Sequence, residues 1–113
     1  ESALIANHNS LDNLVVIIDC NGLQGMGEVK KILDINPLKE KWQAFGWQVK
    51  EIDGHDFNQI HQALVADSDK PLAIIAETIK GKGVSFMEND NLWHYKAPSE
   101  DEYKKAMEEL CQT

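Results

Sequence analysis

Two runs of the chain are apolar at every position, and each has the length of a β-strand. Residues 14–18 read Leu-Val-Val-Ile-Ile, and residues 72–76 read Leu-Ala-Ile-Ile-Ala. Strands that are apolar on both faces are typical of a parallel sheet covered by helices. Residues 47–52 alternate enough between apolar and polar side chains to predict a third strand.

Helices are predicted around these strands by capping residues and by apolar residues at helical spacing. Asn36 is expected to cap one helix, with Pro37 at its first position and Gly46 after its end. Residues 2–9 suit the end of an earlier helix.

Two further helices begin at residues with the spacing of a capping box. Asp56 precedes Gln59 by three positions, which predicts a helix to about residue 66. Ser99 precedes Glu102 in the same way and predicts a last helix through about residue 111. The first of these helices is expected to bury Ile60, Ala63 and Leu64.

The order of these elements is β-loop-α-β-α-β-loop-α, which predicts an α/β fold with a doubly wound, three-layer parallel sheet. Ligands of such sheets bind beyond the carboxyl ends of the strands. Residues 19–35 and 78–98 follow the first and third strands. Both segments are longer than the usual two to six residues of a βα loop, which marks them as candidates for function.

The composition limits the class of protein. The 113 residues are 42% hydrophobic and 27% charged, which fits one soluble globular domain. The net charge of −8 disfavours nucleic-acid binding, which needs clustered Lys and Arg. No apolar run approaches the roughly 20 residues of a membrane span. Cys20 and Cys111 have neither metal-binding spacing nor a disulfide framework, which favours a reducing, cytoplasmic setting.

Oxygen ligands occur directly after the first predicted strand. Asn21 offers a side-chain amide and Leu23 a backbone carbonyl. Mg²⁺ takes oxygen ligands and usually shares its shell with phosphate and water, so a neutral amide suits a site where a diphosphate supplies the negative charge. The alternative is that Asn21-Gly22 is only a turn dipeptide, and spacing alone favours that alternative.

At these positions the chain resembles a known family. Residues 11–24 are similar to the closing half of the thiamine-diphosphate motif of transketolases, which opens with Gly-Asp-Gly and ends with Asn after a hydrophobic strand. Two segments, Lys-Gly-Lys-Gly at residues 80–83 and Trp-His at residues 93–94, most resemble transketolases that are encoded as separate N- and C-terminal subunits. The likeness covers nearly the whole chain and continues through residues 45–47, 52–56, 70–71, 78–83 and 93–98.

The resemblance implies a fold and a set of site residues. Residues 1–113 would form the C-terminal half of the diphosphate- and Mg²⁺-binding domain. Asn21 would bind Mg²⁺ through its side chain and Leu23 through its backbone carbonyl, and Ile79 would pack against the cofactor. His94 would reach the diphosphate and the substrate as the catalytic residue of this chain. Without the resemblance, His94 would be interpreted as an ordinary surface or packing histidine.

The activity implied by the resemblance is transfer of a two-carbon ketol unit between sugar phosphates, as in the pentose phosphate pathway, with thiamine diphosphate and Mg²⁺. The cofactor carries the chemistry. The glutamate that activates it lies on a pyrimidine-binding domain or subunit outside this sequence, so a dimer or higher oligomer is implied. Two alternatives stay open. One is another enzyme of the superfamily, either 1-deoxyxylulose-5-phosphate synthase or the first component of a 2-oxoacid dehydrogenase; the other is a non-catalytic Rossmann-like binding domain, if the chain is isolated.

The sequence departs from the family at two places. It begins at Glu1 without the Gly-Asp-Gly half of the motif, whose aspartate would be the other protein ligand of the metal, so we expect it to be part of a longer chain. Gly25 stands where the family commonly has a larger apolar residue beside the cofactor, and the glycines at 25 and 27 predict a mobile loop.

Other polar residues receive a structural interpretation or none. Lys80 and Lys82 fit phosphate binding and solvated loop charges equally well. His55 belongs to a turn and the following helix cap, and His61 is expected to face solvent. His8 is given no role.

Overall fold

The computed structural model describes residues 1–111. The chain folds as two compact units. The first comprises Glu1–Cys20 and Ile35–Thr78, and the second comprises Asn21–Asp34 and the chain from Ile79 onward. Each unit is therefore assembled from two separate stretches of sequence.

Short strands and helices alternate along residues 1–111. The strands are β1 (Val15–Cys20), β2 (Leu23–Gln24), β3 (Gly27–Glu28), β4 (Gln48–Asp53) and β5 (Leu72–Glu77). The helices are α1 (Ser2–His8), α2 (Val29–Ile32), α3 (Leu38–Ala44), α4 (Phe57–Leu64) and α5 (Glu100–Leu110), with a 3₁₀ helix at Asn91–His94.

The first unit is built on a parallel sheet with the strand order β1–β5–β4. Ala73 of β5 lies in register between Val16 of β1 and Val49 of β4. The central strand is buried from Leu72 to Ala76, as its unbroken apolar run predicts. The predicted α/β fold with a parallel sheet is confirmed.

Helices cover both faces of this sheet, so the first unit has the three layers that the element order predicts. On one face, Ala73 packs with Trp47 and with α1. On the other face, Ala63 of α4 packs against Leu72 and Ile74. The two cores are separate because neighbouring residues of a strand point to opposite faces of the sheet.

β1 is less buried than its apolar sequence predicts. Val15 and Ile17 are 39% and 59% exposed, whereas Val16 packs into the core. Within residues 1–111, the Val16 face of β1 is covered as expected, and the face that carries Val15 and Ile17 is partly exposed. In the described residues β1 and β4 are the two edge strands of the three-stranded sheet, and the residues that pack around Ala63 come from β4 and β5.

The two capping-box signals predicted the helix starts correctly. Ser99 and Glu102 form the complete capping box of α5. Asp56 caps α4 and accepts the backbone N–H of Gln59. The Gln59 side chain does not return to the N–H of its cap, however; it accepts the N–H of Asp53 and donates to the Asp56 carboxylate.

Two other helix predictions are wrong in detail. Pro37, and not Asn36, is the N-cap of α3, which has no side-chain cap. Gly46 follows α3 with φ = +84°, as its position predicts. α4 buries Ala63 but leaves Leu64 47% exposed, because the helix ends there.

None of the helices in residues 1–111 is long and apolar enough to cross a membrane.

The second unit contains more regular structure than the sequence predicted. The segment predicted as a loop, residues 19–35, instead completes β1 and then forms the antiparallel hairpin β2–β3 and the short helix α2. In the hairpin, Leu23 pairs with Glu28 and Gln24 pairs with Gly27. A longer loop, interrupted by the 3₁₀ helix, leads from Ile79 to α5.

Candidate functional site

The Asn21 side chain closes a tight turn at the start of the second unit. Its carboxamide oxygen accepts the N–H of Leu23 at 2.9 Å. Gly22 between them has φ = +73°, a backbone conformation that glycine adopts without strain. The turn predicted from Asn-Gly is therefore present, and it fixes the direction of the amide oxygen. That oxygen keeps a second lone pair for a further partner.

The Leu23 carbonyl lies on the outer edge of the hairpin. The Val29 N–H donates to the Gly22 carbonyl at 2.9 Å, so Gly22 bonds across the hairpin. Hydrogen bonding alternates along an antiparallel strand, and the N–H and C=O of the next residue, Leu23, therefore point away from β3. That N–H is the group bound by Asn21. The amide oxygen and the Leu23 carbonyl oxygen thus lie along one edge of β2.

His94 and Tyr95 lie against the turn between β2 and β3. The Tyr95 hydroxyl donates to the Gly25 carbonyl at 2.7 Å, and Asn91 Nδ2 donates to the same oxygen at 3.0 Å. A Cβ atom on Gly25 would lie 2.9 Å from the Tyr95 hydroxyl and 3.2 Å from His94 Nε2. The absence of a side chain at Gly25 therefore lets the histidine approach the hairpin. The turn that the sequence predicts to be mobile is held here by two hydrogen bonds.

Trp93 anchors the 3₁₀ helix that carries His94. Its indole N–H donates to the Phe86 carbonyl at 3.0 Å, and the two rings pack with centroids 5.4 Å apart. The Lys96 ammonium lies 4.5 Å from the centroid of the Trp93 ring, a cation–π contact. His94 is exposed and meets the Tyr95 ring edge to face, with centroids 4.7 Å apart. The histidine thus sits on an anchored turn with its ring open to solvent.

Two carboxylates of α5 hold the loop that precedes it. Glu102 pairs with Lys96 and accepts the N–H of Ser99, and these contacts lower the pKa of Glu102 to about 2. Glu109 accepts both the backbone N–H and the hydroxyl of Ser85, which lowers the pKa of Glu109. α5 is therefore tied to this loop at two points.

Ile79 begins a compact loop in the second unit. The residue is half-buried, and its carbonyl accepts the N–H of Lys82 at 3.2 Å. Gly81 has φ = +74°, and a Cβ atom there would lie 2.5 Å from the Met87 carbonyl oxygen, so only glycine fits. The Lys82 ammonium lies 3.9 Å from the Glu88 carboxylate. Such an exposed ion pair contributes little to stability.

In the first unit, the ends of β1 and β5 carry a different polar group of residues. The Thr78 hydroxyl donates to the Asp19 carboxylate at 2.5 Å. Burial, followed by the charges of Asp19 and Glu77, raises the pKa of the Cys20 thiol. A thiol with a raised pKa stays protonated at neutral pH and is a poor nucleophile. Cys20 is therefore no candidate for covalent catalysis.

The four residues expected at the site all belong to the second unit: Asn21, Leu23, Ile79 and His94. The structure joins Asn21 to Leu23 and brings His94 to the turn that follows β2. Within residues 1–111, no three His, Cys, Asp or Glu side chains come together as a metal site.

Two residues of this arrangement, Asn91 and Tyr95, were not predicted from the sequence. Both bind Gly25 from more than 60 positions away in the chain. The sequence offers one signal for Tyr95, the pairing of a glycine at position 25 with a large side chain beside His94, and none for Asn91.

Known proteins are similar to this chain in sequence. Residues 1–112 match the family model described as transketolase, thiamine diphosphate binding domain. One subunit of the apulose-4-phosphate transketolase of Actinobacillus succinogenes is 45% identical over 112 residues, which cover 97% of this chain and 41% of the relative. The 6-deoxy-6-sulfo-D-fructose transketolase subunit SqwG of a Clostridium species is 39% identical over 113 residues, again 97% of this chain and 41% of the relative. The chain spans about two fifths of the length of these relatives.

Solved structures share the fold. The transketolase of Campylobacter jejuni superimposes with a TM-score of 0.83 at 32% sequence identity, over 97% of this chain and 18% of that chain. A transketolase of Pichia stipitis superimposes with a TM-score of 0.67 at 17% identity, over 98% of this chain and 20% of that chain, and this match shows likeness of fold alone.

Proposed function

The chain belongs to the transketolase family, and we propose that it anchors the cofactor diphosphate of an enzyme that transfers a two-carbon ketol unit between sugar phosphates. In this proposal it is the C-terminal half of the diphosphate-binding domain. One arrangement supports the proposal more than any other. Two neutral oxygens, from Asn21 and Leu23, lie on one edge of β2, and His94 lies at the adjoining turn.

The chemistry of these oxygens fits Mg²⁺ held together with a diphosphate. The Asn21 amide oxygen is oriented by the Leu23 N–H and keeps one lone pair, and the Leu23 carbonyl faces the same way. Neither oxygen carries a charge. Octahedral Mg²⁺ commonly takes few protein ligands and fills its shell with phosphate oxygens and water. Asn21 and Leu23 would therefore hold the cation, and the cation would hold the diphosphate.

His94 is suited to work beside this anchor. Its ring is exposed, and an imidazole donates hydrogen bonds to phosphate or to a substrate oxygen near neutral pH. In the proposal His94 orients the diphosphate and holds or moves a proton at its Nε2 or Nδ1 atom. Ile79, half-buried in the same unit, would supply apolar packing against the cofactor. Bound thiamine diphosphate supplies the electron sink for the bond-breaking chemistry.

The rest of the active site would come from a second polypeptide. Two relatives are named as one of the subunits of an apulose-4-phosphate transketolase. By analogy, the pyrimidine-binding part would lie on a partner subunit, in a dimer or higher oligomer. The relatives are named for a ketose phosphate and a sulfonated ketose. We therefore propose a ketose with an anionic terminal group as the donor, and the two free cysteines favour a cytoplasmic setting.

The test is ketol transfer by the full-length protein that contains these residues, assembled with its partner. Xylulose 5-phosphate with ribose 5-phosphate, and a sulfonated ketose with the same acceptor, should both be assayed with thiamine diphosphate and Mg²⁺. Turnover of either donor is expected. The alternative superfamily activity is measured in parallel with pyruvate and glyceraldehyde 3-phosphate. Activity only with that second pair would replace the proposal with 1-deoxyxylulose-5-phosphate synthesis.

The chain alone is proposed to be inactive. Residues 1–113 supply two oxygens of the expected cation site, and the resemblance places the pyrimidine-binding part outside these residues. We expect the isolated 113 residues to show no ketol transfer and little cofactor affinity. Clear binding of thiamine diphosphate by these residues in calorimetry with Mg²⁺ would contradict this part of the proposal.

A further inference from the structure

We propose that Tyr95 is a positioning residue of this site. Its hydroxyl, together with Asn91, holds the Gly25 carbonyl and thereby fixes the β2–β3 hairpin against His94. The role of Tyr95 in cofactor binding rests on the proposed function. The contact itself can be tested without any cofactor.

The Gly25 carbonyl is fixed from two sides. A carbonyl oxygen has two lone pairs, and here Tyr95 and Asn91 donate to the same oxygen at 2.7 and 3.0 Å. This carbonyl belongs to the turn that joins β2 to β3, and β2 carries Leu23. Fixing that peptide group therefore fixes the direction in which the edge of β2 faces.

Tyr95 touches both partners that must be aligned. Its hydroxyl binds the hairpin, and its ring packs edge to face on the His94 imidazole with an interplanar angle of 88°. Gly25 completes the fit, because any side chain there would meet the Tyr95 hydroxyl first and the His94 ring next. Gly25 and Tyr95 are thus complementary in size.

The tyrosine acts from an anchored segment. Trp93, two positions earlier, is held by Phe86 and by Lys96. The Tyr95 N–H also donates to the carbonyl of Leu92 at 3.1 Å. The hydroxyl therefore holds the hairpin against a fixed support.

The contact can be removed without removing much of the fold. Tyr95 is 72% exposed, so Tyr95→Phe deletes one hydroxyl and little buried surface. Loss of this one hydrogen bond should reduce the affinity for thiamine diphosphate by about threefold to tenfold. Tyr103→Phe is the matched control, since Tyr103 is also exposed, at 55%, and lies on α5.

The experiment uses the complete enzyme with its partner subunit. Without cofactor, the carbonyl ¹³C resonance of Gly25 and the imidazole resonances of His94 are recorded for the wild type, Tyr95→Phe and Tyr103→Phe. Thermal unfolding of all three is measured beside them. Calorimetric titration with thiamine diphosphate and Mg²⁺ then gives the affinities. We expect Tyr95→Phe to shift both sets of resonances and to weaken binding, with a melting temperature like that of Tyr103→Phe.

A second variant separates contact from general packing. Gly25→Ala should weaken cofactor binding in the wild type, because the new methyl group collides with the Tyr95 hydroxyl. In the Tyr95→Phe background that hydroxyl is absent, so Gly25→Ala should reduce the cofactor affinity by a smaller factor. Equal losses in the two backgrounds would show that the residues act independently and would overturn the inference.

The remaining outcomes are also decisive. Unchanged Gly25 resonances in Tyr95→Phe would overturn the inference whether or not the enzyme binds cofactor. Shifted resonances with unchanged affinity would refute the positioning role. A weaker affinity matched by a large drop in melting temperature would assign Tyr95 to general stability. If the wild type bound no thiamine diphosphate, the proposed function would fail, and a resonance shift would leave Tyr95 with a structural contact only.

Discussion

Replacing Asn21 with alanine tests the proposed cation site, because the Asn21 side chain has two proposed roles, one in the turn and one in metal binding. Its oxygen accepts the Leu23 N–H in the structure, and in the proposal it also binds Mg²⁺. The substitution removes both at once. The two effects must therefore be measured separately, one on folding and one on cofactor binding.

The effect on folding is expected to be small. The Asn21 side chain is half-buried, so water can reach the Leu23 N–H when its acceptor is removed. The cost should then be that of one ordinary hydrogen bond, about 0.5–1.5 kcal/mol in the free energy of unfolding. Chemical denaturation without cofactor measures this value.

The effect on cofactor binding is expected to be larger. Loss of one of the two oxygens that this chain is proposed to supply should weaken Mg²⁺-dependent thiamine diphosphate binding by at least about tenfold, or roughly 1.4 kcal/mol. Calorimetric titration of the complete enzyme, with Mg²⁺ and with a chelator, measures it. The difference between Asn21→Ala and wild type should vanish in the chelator, because the lost interaction passes through the cation.

Two further variants make the result specific. Asn21→Asp keeps an oxygen for both the turn and the cation, so it should fold normally and lose less affinity than Asn21→Ala. Asn58→Ala makes the same change on an exposed position of α4 and should leave cofactor binding unchanged. An unaltered cofactor titration for Asn21→Ala would remove Asn21 from the site and leave it as a turn residue.

Three more predictions concern the fold around the site. Gly81→Ala should destabilise the protein clearly more than Gly22→Ala. The two glycines have similar φ angles, so both substitutions add backbone strain of about 1 kcal/mol, but only the methyl group at position 81 also collides with backbone atoms. Denaturation curves of the two variants that coincide would contradict this prediction. The folded-state pKa of Glu102, about 2, lies below its ordinary value of 4.5, so its stabilisation is present above pH 4.5 and is lost as the pH falls towards 2. Glu102→Gln should therefore show a smaller fall in melting temperature between pH 6 and pH 3 than wild type. Ile74→Ala, at a position only 1% exposed, should cost about 2–5 kcal/mol in unfolding free energy, whereas Ile17→Ala, at 59% exposed, should cost far less. Equal losses of unfolding free energy for the two variants would contradict this prediction.

Features that depend on neighbouring residues were predictable from the sequence. The capping box at Ser99 and Glu102 formed because both partners lie within one helical turn. The central strand β5 was evident because a strand covered on both faces must be apolar throughout. Asn36 was wrongly expected to cap α3, although asparagine favours that position. The helix begins one residue later, and the Lys41 ammonium binds the Asn36 carbonyl at 3.1 Å.

Features that depend on distant residues were not predictable. The hairpin has only two residues in each strand, too few for any alternation of polar and apolar side chains to appear. The partial exposure of Ile17 within the described residues was not predictable, because no local pattern shows which strand lies at the edge of the sheet. The family resemblance supplied the roles of Leu23 and His94, but the approach of that histidine to Gly25 became visible only in the structure.

The discontinuity of the second unit has a consequence for how the protein is made. Tyr95 and Gly25, which share a hydrogen bond, are separated by 70 positions. A ribosome therefore releases the hairpin long before the residues that clasp it, since synthesis proceeds from the N-terminus. The intervening segment, Ile35–Thr78, belongs to the other unit and can pair its strands in the meantime. A nascent chain halted after β5 would already contain all three strands of the described parallel sheet, but its hairpin would lack the hydrogen bonds from Asn91 and Tyr95. The proposed ability to hold diphosphate would therefore arise only after these two residues have been made.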